Sequence, residues 1–466
     1  MIKVDTSVKS LKTPSPLMGE GRGEGENTTI SSSYVPLPFI PSHQGRGNPT
    51  FYETVKVEKA LNYILSSTSP LGIEKINILN ALGRVLSEDV CACRDIPPKD
   101  NSAMDGYGVN SKDTMGASRG TPLLFDIIED IPAGHMPAKI VGFAEAAKIM
   151  TGAPIPQGVD AVIPVENTEP DGDRVKIFKE VKAGENIRYA GEDVKEGELV
   201  LQAGKIIRPA EIGMLASLGR SYVQVYQKPL VAILATGDEL IDIDGVISPE
   251  KIISSNSYSI AAQVIECGGT PLQIGIAKDT KEDITAKFKY AMRADIIVSS
   301  AGVSVGDYDF VKDVMKDMGI KIEFWQVAER PGKPLTFGTM EGKLIFGLPG
   351  NPVSSMITFE QYVRPSILKM TGHKNLFRKV IRATIKENIR KKEGLKYFIR
   401  ATVSYEDGQY TAVTTGEQGS GILKSMVRAN GIIVLPEEIT AVKTGEKVTV
   451  QLIDGSFEMT SQPGYL

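Results

Sequence analysis

Five carboxylates stand where a parallel sheet would gather them. Asp238 and Glu239 follow the apolar run "PLVAILAT", Asp279 follows "IGIAK", and Asp307 and Asp309 follow "IIVSS" within "AGVSVGDYD". Ligands of open parallel sheets bind beyond the carboxyl ends of the strands. Carboxylates crowded beside a phosphate would repel it unless a divalent cation lay between them. Mg²⁺ suits that position, because it is shared between one or two carboxylates and substrate phosphates. Singly, each acid reads as a cap or turn residue; together they point to metal-assisted phosphate chemistry.

The loop from Ala301 to Asp309 is small, serine-bearing and glycine-rich, and it delivers the chain to a helix start. It reads either as an anion site built from unpaired N–H groups or as a connection capped by Asp309. Arg330 and Lys333 in "ERPGKPLTFG" flank a stiff bend that suits an oxyanion or phosphate, although taken alone the segment reads first as an ordinary surface turn. "LPGNPVSS" is a tight turn that opens a helix near Pro352 and offers backbone donors at another strand end. Far upstream, "PPKDNSAMDGYGV" places Asp100 and Asp105 in a segment too polar for a core strand. That segment is a solvated turn or half of a binding site.

The elements that must position these residues follow from the hydrophobic pattern. "VKVEKALNYILSS" has helical spacing. From about residue 90 to 185, short β-like runs between Gly/Pro turns predict a small β module. "RPAEIGMLASLG" is a helix with Pro209 in its first turn and Gly219 as its stop. Between 228 and 372, strands alternate with helices, one of them capped by Thr280 and another running unbroken through "NPVSSMITFEQYVRPSILKM". That alternation implies a doubly wound parallel sheet. Residues 377–454 return to β and predict a C-terminal barrel or sandwich.

Composition bounds the partners. With 466 residues the chain holds about three domains. A net charge of -4 argues against nucleic acid or an anionic membrane, and no apolar run reaches spanning length. Three cysteines fit a reducing cytoplasm, and Cys91 and Cys93, two apart on a strand, are expected as small buried residues. Residues 1–52, dominated by Gly, Ser, Pro and Thr, are expected to be disordered or a mis-assigned start.

"PPKDNSAMDGYGV", "KIMTGAPIPQGVDAVIPVE", "AGEDVKEGE", "ATGDEL", "SSAGVSVGDYDFV", "ERPGKPLTFG", "FGLPGNPVSS" and "SGILKSMVRANGIIVLPEE" follow one another as in the MoeA-type molybdopterin molybdenumtransferases. The chain resembles that family, relatives of the gephyrin E domain, from about Val55 to Leu452. The resemblance implies an N-terminal region over 53–227, a molybdopterin-binding α/β domain over 228–372, and an elongated homodimer. It implies Mg²⁺-dependent hydrolysis of adenylylated molybdopterin, with release of AMP and insertion of molybdate. An adenylyltransferase is the implied supplier of that substrate. Carried over by motif, Asp100, Glu192, Asp238 and Asp279 would be catalytic. Asp238, Glu239, Asp279 and Asp307 would hold the metal. Ser102, Asp105, Thr151, Thr236, Gly237, Gly302, Ser304, Gly306, Arg330, Lys333, Pro349, Gly350, Asn351 and Pro352 would bind substrate. Asp100 and Thr151 would face the α/β domain of the partner subunit. The chain departs from the pattern at Ala301, Gly108 and Gln326. A scaffold like the gephyrin E domain would not need the acidic motifs intact, and a MogA-like adenylyltransferase would need only the α/β domain.

Overall fold

The computed structural model describes residues 54–301, 310–455 and 463. The expectations for residues 1–52 and for Gly302, Ser304, Gly306, Asp307 and Asp309 lie outside the described residues. The compact unit Tyr52–Leu466 contains everything described.

The apolar runs of the central region form one six-stranded sheet. Its order is Thr270–Ala277, Leu230–Thr236, Ile296–Ser300, Lys343–Leu348, Thr336–Met340, Lys321–Phe324. The first four strands pair in parallel. The other two are antiparallel, so the sheet is mixed at one edge rather than parallel throughout. Glu341 and Gly342, with φ of 51° and 77°, make the two-residue hairpin turn that reverses the chain there. Val231 and Ile233 pack on one face with helix Ser255–Glu266 and the segment from Pro352 to Met370. Ala232 and Leu234 pack on the other with helices Lys281–Ala291 and Phe310–Asp317. Successive strand residues thus serve opposite cores, and a strand covered on both faces must read as unbroken apolar sequence.

Caps form where the sequence predicts them. The Thr280 hydroxyl accepts from the Asp283 amide at 3.3 Å, and Pro209 opens helix Pro209–Ser217. The expected single helix after Asn351 is interrupted: Pro352–Thr358 and Arg364–Met370 are α-helical, with π-helix over Phe359–Val363 between them. Pro365 carries no N–H and cannot extend a regular i→i−4 ladder, so the break falls just before it.

The β module is a second six-stranded sheet, ordered Ala161–Pro164, Gly106–Val109, Glu145–Ile149, Leu123–Ile131, Arg174–Ile177, Thr168–Asp171. Gly106 is required here, because a Cβ would lie 2.0 Å from the Ile163 carbonyl oxygen. Five strands of the C-terminal region close into a barrel: Lys396–Glu406, Gln409–Thr414, Val380–Ile385, Lys447–Leu452, Gly431–Leu435 and back to the first. The short strand Glu329–Arg330 lies parallel to the barrel strand at Lys396 and Tyr397, tying the α/β sheet to the barrel.

Cys91 ends a strand that Cys93 lies beyond, and both face outward. Both thiols are exposed and Ala92 between them is buried. The strand is a two-residue edge pairing whose inward position falls to the even-numbered residue, so the expectation of buried cysteines is corrected.

Candidate functional site

The strand ends of the α/β sheet open into a crevice of about 470 Å³. Glu239, Pro349, Gly350, Asn351 and Pro352 line it, with Ser300 and Ala301 from the neighbouring strand end. Thr236 ends its strand buried, and Gly237 follows at φ +143°, with the Glu239 carboxylate occupying the space a Cβ would need. Beside it, the Asp238 amide donates to the Asp279 carboxylate at 3.3 Å and the Asp279 amide donates to Asp238 at 3.2 Å. Burial raises the Asp279 carboxyl above the ordinary range, and the charges of Asp238 and Glu239 raise it further. Lys251 Nζ donates to the Asp238 carbonyl at 2.5 Å, and among the described residues no ion pair engages either carboxylate. A divalent cation fits there with one or two carboxylates, the rest of its shell being water and phosphate oxygen. Among the described residues, no three His, Cys, Asp or Glu side chains form a metal cage.

Two features of the crevice escape sequence reasoning. The Asn256 amide nitrogen donates to Ser300 Oγ and to the Gly350 carbonyl, both at 2.8 Å, joining two strand-end loops. Its Oδ1 is buried and has no hydrogen-bond partner among the described residues, and Asn256 is one of the crevice-lining residues. An asparagine in the first turn of "SNSYSIAAQVIE" was the available signal. Second, the turn at Pro349–Pro352 does not offer its first donor to a ligand: the Val353 amide donates to the Ser420 carbonyl of the barrel at 3.0 Å. The barrel loop is thus tied to the start of the helix that follows the crevice turn.

The same barrel loop borders a second cavity of about 670 Å³. Arg330, Arg390, Lys391, Lys392 and Arg400 line it together with Gln418 and Gly419. Arg400 is 1% exposed. It donates to Ser425 Oγ at 3.1 Å and the Gly419 carbonyl at 3.0 Å, and burial lowers its pKa to about 10. A buried guanidinium held by neutral acceptors and facing a cavity is an anion receptor. The signal was an arginine inside the apolar strand "KYFIRATVSY". Arg330 reaches into this cavity over the Tyr397 ring, whereas Lys333 is exposed and lines neither space. Its carbonyl accepts the Val327 amide at 2.9 Å and closes the Arg330 loop.

A third cluster sits on the β module. The Asp105 carboxylate accepts the amide and the hydroxyl of Thr151, both at 2.7 Å, which hold it below its ordinary range. Asp100 accepts the Ala190 amide at 2.8 Å and Glu192 accepts the Tyr189 amide at 3.1 Å, so both clasp one turn. Buried Ser102 pairs with Ile187 beneath them. Among the described residues, no hydrogen bond or ion pair of these five side chains reaches the crevice.

A sheet with acidic strand ends, joined to a barrel with a basic cavity, defines a multidomain α/β protein. Family models match in the same order: the MoeA N-terminal region (domain I and II) at residues 55–219, the probable molybdopterin binding domain at 232–369, and the MoeA C-terminal region (domain IV) at 382–453. The molybdopterin molybdenumtransferase of Staphylococcus aureus (strain COL) is 35% identical over 404 residues, 86% of this chain and 96% of that protein. That of Staphylococcus epidermidis (strain ATCC 35984) is 34% identical over 409 residues, 87% and 97% of the two chains. A molybdopterin biosynthesis MoeA protein of Pyrococcus horikoshii superposes with a TM-score of 0.76 at 31% identity, covering 86% of this chain and 100% of its own. The chain belongs to the molybdopterin molybdenumtransferase family.

Proposed function

We propose that this chain inserts molybdenum into molybdopterin, taking adenylylated molybdopterin in the α/β crevice and molybdate in the barrel cavity. The observation that carries the reading is the loop that runs between the two spaces. Gly419 lines the cavity, Ser420 caps the crevice turn, and the Arg330 loop spans both, with Arg330 in one lining and Pro334 in the other. A metal oxyanion held by Arg400 and Arg330 therefore sits next to the pterin. The Asn256 Oδ1 acceptor suits an N–H donor of the pterin ring.

In the reaction, water attacks the phosphoanhydride and a P–O bond breaks to give AMP and the pterin phosphate; the two dithiolene sulfurs then bond the molybdenum, their protons leaving with a molybdate oxygen as water. Mg²⁺, held by Asp238 and Asp279 with Glu239 beside them, would neutralise the phosphate oxygens. Asp238 and Asp279 would orient the attacking water through that cation. The β-module cluster of Asp100, Asp105, Thr151 and Glu192 would complete the site of a second subunit in a homodimer. Exposed Leu79, Leu82 and Tyr222 supply apolar surface for such an interface. The exposed, unpaired thiols of Cys91 and Cys93 accord with a reducing cytoplasm. Incubation with adenylylated molybdopterin, molybdate and Mg²⁺, followed by AMP and cofactor analysis, tests the reading.

A further inference from the structure

One buried acid lies outside all three clusters. Glu329 is 0% exposed and stands at the base of the loop that carries Arg330 and Lys333. That loop is closed by the Val327 amide and the Lys333 carbonyl, with Glu329 pointing inward and Arg330 outward. Glu329 Oε2 accepts the Tyr362 hydroxyl at 2.5 Å, and Oε1 is buried with no partner. Oε1 instead abuts Gly332, where a Cβ would lie 2.5 Å from it; the φ of +113° there also requires glycine. The carboxyl group thus fills the floor directly under the bend between the two cations.

The surroundings favour its neutral form. Tyr362 faces it from the π-helical segment, and burial raises the phenol well above its usual range, so that group stays uncharged. Lys396 faces it from the barrel strand but is already paired with Glu58 and with Glu437. Arg330 and Lys333 turn away to the exposed side. Burial pushes the Glu329 carboxyl up to about 8, against the lowering effects of Tyr362 and Lys396.

We propose that Glu329 is a positioning residue that works as an uncharged floor beneath the Arg330–Lys333 loop, and that loss of its proton to solvent weakens oxyanion binding above it. This rests on the reading that the loop and Arg400 hold molybdate. An ionised Glu329 would place negative charge behind a site built for a dianion and would draw the two cations inward.

Calorimetric titration of the full chain with molybdate at about pH 6.5 and about pH 9.5 tests it. The parent protein is expected to lose roughly tenfold in affinity across that range, the order one like charge produces at protein dielectric. Glu329→Gln, isosteric and permanently neutral, is expected to change by less than about twofold over the same range. Tyr362→Phe removes a hydrogen bond to the ionised form and is expected to move the midpoint to higher pH. The parent alone should take up a proton on binding molybdate near pH 8, read from the buffer dependence of the heat. Equal losses in the parent and the Gln variant, or no proton uptake, would overturn the role of Glu329 while leaving the oxyanion site standing. No molybdate binding by the parent at any pH would overturn both.

Discussion

Asp238 and Asp279, 41 positions apart and each two residues past the end of one of two adjacent parallel strands, each donate a backbone amide to the other's carboxylate. The exchange fixes two carboxyl groups at one strand-end rim. Asp279 binds its proton more tightly folded than unfolded. Its contribution to stability is therefore fully present below the ordinary value of 3.8 and is lost as pH rises through its raised pKa. At neutral pH the pair opposes folding, and a cation relieves it. Saturating Mg²⁺ at pH 7.5 should raise the Tm of the parent protein by about 2 °C and that of Asp279→Asn by less. Without Mg²⁺ the variant should be at least as stable as the parent. Equal Mg²⁺ responses in the two, by scanning calorimetry, would contradict this assignment.

Arg400 is buried without a carboxylate. Arg400→Met should weaken molybdate binding at least about 100-fold, the scale of losing charge-assisted hydrogen bonds. Stability should change by under about 1 kcal/mol, because relief of desolvation offsets the lost bonds to Ser425 and Gly419. Equilibrium dialysis with molybdate checks the first expectation and denaturant unfolding the second. Retained affinity would move the anion site elsewhere.

Much of this architecture was legible in the sequence. The strand ends at Thr236 and Ser300, the Thr280 cap and the Pro209 helix start are local signals, set by hydrophobic period and side-chain chemistry within a few residues. What could not be read depended on distant partners. Nothing near Val353 announces that its amide is taken by Ser420 of the barrel, and nothing near Arg400 announces that it faces Arg330. The strand Thr336–Met340 was hidden by the proline-glycine bend before it, so the antiparallel edge went unseen. The cysteine pair shows the limit of pattern alone: a period of two fixes that Cys91 and Cys93 share a side, not which side is buried.

On the β module, Asp105 is held below its usual range by the Thr151 amide first and the Thr151 hydroxyl second. For a lowered carboxyl, the stabilising contribution is present above 3.8 and disappears as pH falls through the folded pKa. Thr151→Val removes one of the two donors. The NMR inflection of the Asp105 carboxyl carbon should move upward in that variant, while the Thr151 amide bond keeps it below the ordinary value. An unmoved inflection would show that the hydroxyl contributes nothing.

If the β-module cluster completes the partner subunit's crevice, two inactive variants should complement each other. Asp100→Asn mixed with Asp238→Asn, after subunit exchange, should regain about one quarter of parental activity. Half of the randomly formed dimers would then carry one intact composite site. No recovery despite demonstrated exchange would place both residues in a site within one chain.

The central claim is that crevice and barrel cavity act on one molecule, and the most direct test is a single-turnover reaction. The protein is mixed with adenylylated molybdopterin, molybdate and Mg²⁺, and AMP and molybdenum-loaded pterin are measured in the same samples. The account predicts that both appear together in the parent, that Asp238→Asn forms neither, and that Arg400→Met forms no loaded pterin. Loaded pterin formed by Arg400→Met at the parental rate, or no AMP released by the parent, would contradict it.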